Sequence, residues 1–147
     1  MILDERNEFA DATALNTGGA ASYLVGDVMD LEGADAFGAD DGIYLVIQVD
    51  TTATSGGSAT VAFHLVSDAQ AALATDLSAT YHFSTNAIAV ATLAAGYQVC
   101  AIELPRGTYE RYLGILQTTA VAALTAGKIN AFLTNDPKAW KPYADAI

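Results

Sequence analysis

The chain has 147 residues, a length that fits one domain and buries roughly 70% of the surface its unfolded form exposes. Seventeen acids against six Lys and Arg give a net charge of -11, which repels phosphate backbones and anionic lipid and excludes nucleic acid and charged membrane surfaces as partners. The longest strongly apolar run, GIYLVIQV from Gly42, falls far short of the roughly 20 residues that span a bilayer.

In chain order, the opening MILDERNEFAD carries acids where an export signal needs a positive region and a long apolar run, so the expectation is synthesis without a leader. SYLVGDVMDL, near Ser22, reads as the first strand. EGADAFGADDG then gathers Glu32, Asp35, Asp40 and Asp41 in a glycine-rich stretch, but the acids lack the alternation and distant bidentate glutamate of a calcium loop, so it reads as solvated.

From Gly42 to Asp50 one face carries Ile43, Leu45, Ile47 and Val49, and the other Tyr44, Val46, Gln48 and Asp50: a strand buried on one side and partly covered on the other. TTATSGGSAT reads as its turn, with Gly56 and Gly57 supplying the reversal. ATVAFHLVS returns with Val61, Phe63 and Leu65 on one face, which predicts a hairpin. SDAQAALATDL from Ser67 is open between a short capped helix and a loop. Further strands are predicted at TYHFS from Thr80, IAVATL from Ile88, YQVCAIEL from Tyr97, YERYLGILQT from Tyr109 and KINAFLT from Lys128. Asn86, Gly96, Pro105-Arg106-Gly107 and Ala126-Gly127 punctuate them. About eight short strands without alternating helices predict an all-β two-sheet sandwich or small barrel in one domain, residues 1–147.

Catalytic signatures are absent: no GxSxG elbow, HExxH, Walker loop or GxGxxG. Two histidines, His64 and His82, leave a metal incompletely coordinated without help from carboxylates, and each reads as a partly exposed strand residue beside a phenylalanine. The one cysteine, Cys100, shares an alternating face with Ile102 and Leu104 and reads as core. A carboxylate pair assembled in space would leave no mark in sequence order.

Charge is uneven along the chain. Arg106, Arg111, Lys128, Lys138 and Lys141 follow position 105, while only Arg6 precedes it. A relatively basic patch on an acidic body would suit one particular protein contact, unless acids from elsewhere neutralise it. The tail NDPKAWKPYADAI has Pro137 and Pro142, which forbid a regular helix, so 135–147 reads as an extended docking tail. Trp140 and Tyr143 are its anchors, of the residue types that dominate interfaces; the alternative is a tail folded back with Trp140 as a plug.

MILD at the start, YLVIQVDTTAT, LAAGYQV, LPRGTYERYL and above all the closing LTAGKINAFLTNDPKAWKPYADAI resemble the capsid cement proteins of short-tailed bacteriophages, of the Bordetella-phage type. The resemblance implies a jelly-roll-like sandwich of about eight antiparallel strands that decorates the outside of an expanded icosahedral shell and clamps neighbouring capsomers. It implies the major capsid protein as partner, a homodimer or alternatively a homotrimer, the outer virion surface as location, and synthesis in the host cytoplasm. It brings no catalytic motif, cofactor or metal, so a non-enzyme is expected. Trp140, Tyr143, Lys138, Lys141, Arg106 and Arg111 are the expected contact residues, chosen by type and position. Two other classes compete: a carbohydrate-binding jelly roll that stacks Trp140 or tyrosines on sugar rings, and an enzyme built on paired carboxylates.

Overall fold

Alternating β-branched and aromatic residues suit a pleated, half-buried surface, and the chain forms little else. A computed structural model describes residues 4–33, 35–37 and 42–139. Among them run eleven strands: β1 (Glu8–Ala14), β2 (Ala21–Asp30), β3 (Asp35–Phe37), β4 (Tyr44–Ser55), β5 (Thr60–Asp68), β6 (Thr80–Ser84), β7 (Ile88–Ala89), β8 (Gln98–Glu103), β9 (Gly107–Tyr109), β10 (Tyr112–Ala120) and β11 (Leu124–Thr134). Short 3-10 turns occupy Glu5–Asn7, Val90–Thr92 and Pro137–Ala139.

All pairings are antiparallel, and they make two main sheets, in the orders β1-β11-β4-β8 and β2-β10-β5-β6, with β7 also beside β5 and a separate ribbon of β3 and β9. Following the eight principal strands, the chain crosses between the two sheets at every step but one, from β5 to β6, which pair side by side in the second sheet. That winding is a jelly roll. The inner faces meet in one core. β4 contributes Leu45, Ile47 and Val49, β5 Val61, Phe63 and Leu65, β10 Leu113 and Ile115, and β11 Ile129, Ala131 and Leu133, all buried. Each of these side chains larger than alanine contributes about 1.5–3 kcal/mol by leaving water.

The predicted hairpin of β4 and β5 is corrected by this topology: β4 pairs with β11 and β8, and β5 with β10, β6 and β7. Residues 56–59 cross between sheets instead of reversing within one. Both strands bury one alternating face in either arrangement, so alternation cannot tell a hairpin from a crossover. The predicted IAVATL strand shortens to Ile88–Ala89, and YERYLGILQT breaks between Tyr109 and Tyr112.

Two glycines permit close approaches. Gly26 has φ +72 and interrupts the register of β2 against β10; a Cβ there would run into the Phe9 carbonyl of β1. Gly114 on β10 leaves room on the outer face of the second sheet for the Leu73 side chain. Leu73 belongs to residues 69–79, the segment left open between helix and loop. It is a loop: the Asp68 carboxylate accepts the amides of Gln70 at 3.1 Å and Ala74 at 3.0 Å. The loop lies over the outer face and buries Leu73 and Ala79 against Val66 and Leu116, a second small core.

Candidate interaction surface

The winding brings three connections to one end of the sandwich: the described parts of 31–43, the loop 69–79, and residues 104–111. The last is the most heavily tied. Tyr109 is fully buried, donates its hydroxyl to the Pro105 carbonyl at 2.8 Å and stacks on His82 with ring centroids 3.8 Å apart. Burial pushes its phenol up to about 12. Buried Ser67 accepts the Glu110 amide at 3.0 Å, and its hydroxyl shares a hydrogen bond with His82 Nε2 at 2.7 Å, whose direction the histidine tautomer sets. The Glu110 carboxylate in turn accepts the Thr80 hydroxyl at 2.6 Å.

Arg111 closes this end. Its guanidinium donates Nε to Asp30 Oδ1 at 2.9 Å and Nη2 to Oδ2 at 2.8 Å, and lies 5.0 Å from the centre of the Tyr112 ring. Leu31 donates its amide to the Arg111 carbonyl at 2.8 Å. The hydrogen bonds from Arg111, then the Glu32 amide, hold the Asp30 carboxyl down to about 2. An acid from the other side of a strand pair thus neutralises Arg111.

Arg106 stands exposed in the same connection, and Lys138 lies exposed in the turn Pro137–Ala139, just past the end of β11 at this same end. Lys128 stands on β11 opposite Thr51, away from them, so the late cations do not form one patch. Trp140, Lys141 and Tyr143 lie outside the described residues, as do Asp40 and Asp41 of the acidic stretch. Glu5, Glu8, Asp27, Asp30 and Glu32 line a groove beside β1 and β2, where partial burial and then Asp11 and Glu5 raise the Glu8 carboxyl.

Sequence order misses a polar row across the outer face of the second sheet. Ser22 on β2 pairs its hydroxyl with Thr118 on β10 at 2.7 Å; Thr118 meets His64 Nε2 on β5 at 3.0 Å; His64 Nδ1 meets Ser84 on β6 at 2.7 Å. Four strands contribute one residue each, so no local motif marks the row. Desolvation lowers the basicity of His64, and that of His82, where Glu110 opposes it. Among the described residues no group of three or more His, Cys, Asp or Glu stands together as a metal-holding set. Cys100 packs against the core, and burial pushes its thiol up to about 12. His64, His82 and Ser67 are thus engaged in holding strands and loops, and Cys100 in packing.

No curated protein matches the chain. A family model described as Bbp16 matches residues 9–133, from the second residue of β1 to the penultimate residue of β11.

Proposed function

The chain belongs to the Bbp16 family, a Bordetella phage protein family, and from that premise we propose that it is a structural virion protein of the outer capsid surface. It binds the major capsid protein, clamps adjacent capsomers and stabilises the expanded icosahedral shell, acting as a homodimer or alternatively a homotrimer and not as an enzyme. The observation that carries this reading is the jelly roll itself, with connections at one end cross-tied by Ser67, Tyr109 and the Asp30–Arg111 pair into a rigid contact platform.

A decoration protein needs no reaction. Binding the assembled shell and not its dissociated subunits shifts stability by mass action. A module that touches two capsomers gains further, because the second contact forms at high effective concentration once the first is made. Arg106 and Lys138 at the charged end, together with Lys141, Trp140 and Tyr143 of the tail, are the proposed contacts; Arg111 serves by holding the loop. A carbohydrate-binding role fits less well, because Tyr109 is buried and Arg111 lies against Tyr112.

Co-sedimentation with expanded and unexpanded shells tests the reading: saturable binding to expanded shells alone is the expected result, and binding to neither sinks it. Deletion of residues 136–147, which begin beyond β11, is expected to abolish shell binding while the far-UV spectrum keeps its β signature. Binding at full affinity would remove the tail from the contact.

A further inference from the structure

In a sandwich of two sheets, the residues that alternate with the core-facing ones point away from the partner sheet and meet water. The first sheet obeys this along one half of its length and departs from it along the other. Ile47 and Val49 of β4 face the core, as do Ile129, Ala131 and Leu133 of β11, so Val46, Gln48 and Asp50 face outward, and so do Phe132, Asn130 and Lys128. Asp50 and Lys128 are exposed as expected. Val46, however, is 0% and its neighbour Phe132 2% exposed, although neither belongs to either core cluster, and outward Thr134 is buried with them. Gln48 Oε1, next in the outward row of β4, is shut off from water with no hydrogen-bond partner among the described residues.

Neighbouring strands cannot bury these residues. Val46 is flanked by Phe132 on β11 and by Ala101 on β8, both in the plane of the sheet, and neighbours in that plane leave an outward side chain open from above, as they do at Asp50 and Lys128. The covered half is the one where the chain leaves the sheet. β11 ends at Thr134, paired with Tyr44, and the turn Pro137–Ala139 that follows touches β4. Residues 140–147, WKPYADAI, follow that turn, outside the described residues, and can extend about 26 Å from it. Val46 and Phe132 lie only two residues in from the Tyr44–Thr134 pair. The segment also brings what the face calls for: large apolar area in Trp140 and Tyr143, with N–H and O–H donors on the same side chains.

We infer that residues 140–147 fold back as a strap over the outward face of their own first sheet, with Trp140 seated on Val46 and Phe132. Such seating belongs to the free protein and goes beyond the decoration reading. Residues 1–3 are the competing cover, but they enter from β1, two strands away from Val46, and carry no aromatic ring. Pro142 suits the strap, because its fixed φ leaves less backbone freedom to lose on docking. A tail held this way still offers its outer side to a partner. It arrives already ordered, so contact costs less conformational entropy than a free arm would.

Trp140 is the chain's one tryptophan, so its fluorescence reports the seat directly. In the free protein its emission should lie well to the blue of the denatured chain's, and acrylamide should quench it several-fold less. Phe132→Ala should move the emission to the red and raise quenching while the far-UV β signature stays. Lys128→Ala, on the exposed half of the same face, should change neither. Trp140→Ala supplies a second readout where Phe132→Ala fails to fold: Tm should fall by several degrees, and a dye for exposed apolar surface should bind the folded variant more than the parent. A folded parent whose Trp140 emits and quenches like the denatured chain would overturn the inference. So would dye binding that rises with Ile2→Ser and Leu3→Ser but not with Trp140→Ala, which would hand the face to residues 1–3. Burial of Trp140 that is lost on dilution, together with a dimer, would seat the tail on a second copy and overturn it as well. No shell enters these measurements, so their outcome is separate from whether the protein sediments with capsids.

Discussion

At the residue scale, Cys100 shows how position suppresses reactivity. It sits on β8 opposite Ile47, packed against the core, and its thiol is pushed up to about 12 by burial, with the backbone hydrogen bond to Ile47 opposing. Since the thiolate is the reactive form, a disulfide reagent at pH 8 should modify Cys100 far more slowly in the folded protein than in denaturant. Equal rates, followed by absorbance, would mean that the β8 edge opens freely. Cys100 also marks what a sequence reveals well: its alternation with Ile102 and Leu104 places it inward without any partner being known. Arg111 marks the opposite case. Its residue type is visible, but its partner Asp30 lies 81 positions away, and the cation is already neutralised before any other molecule arrives.

At the element scale, the loop 69–79 acts as a lid over the second sheet, with Leu73 seated above Gly114 and against Val66 and Leu116. Leu73→Ala should lower stability by about 2–4 kcal/mol, the range for emptying a buried leucine site. Limited proteolysis should then cut within 69–79 before it cuts any strand; unchanged stability and protection would show that the lid contributes nothing. The sequence of this lid is alanine-rich and favours helix locally, yet the exposed sheet face beneath it decides its shape, which is why local propensity leaves it open. β1 escapes pattern reading for a related reason. Phe9 and Ala10 are both buried, register shifts follow on either side of Ala10, and Ala12, at φ 45, gives its amide to Asn130 Oδ1 at 2.6 Å. A bulge of this kind destroys the period of two. The strands β4, β5, β8, β10 and β11 keep it and are legible, whereas their assignment to sheets depends on contacts that alternation does not encode.

At the scale of the whole molecule, stability should depend on mildly acidic pH through the two histidines. Burial lowers the pKa of His64, and of His82 despite Glu110, below the ordinary value of 6.5. As pH falls through about 6.5, the unfolded chain takes up protons that the folded chain resists, so the unfolded state is favoured; the stability is fully present above that pH. Thermal melts should therefore show Tm lower at pH 5.5 than at pH 7.5, and the His64→Gln, His82→Gln double variant should flatten that slope. A parent Tm that is flat or rising on acidification would show that the histidines accept protons without opening the Ser22–Thr118–His64–Ser84 row or the Ser67 contact.

The winding has one further consequence, for how the chain comes to be folded. β11 lies between β1 and β4, so the strand that completes the first sheet is the last of the described strands to be synthesised. Until Thr134 has emerged from the ribosome, β1 and β4 each face a vacant lane, with amides and carbonyls that no earlier segment can satisfy. Folding of the first sheet thereby waits for β11 and proceeds through distant pairings, the slow class of β topology. A nascent chain that waits with open strand edges is most exposed to mispairing with its neighbours during that delay.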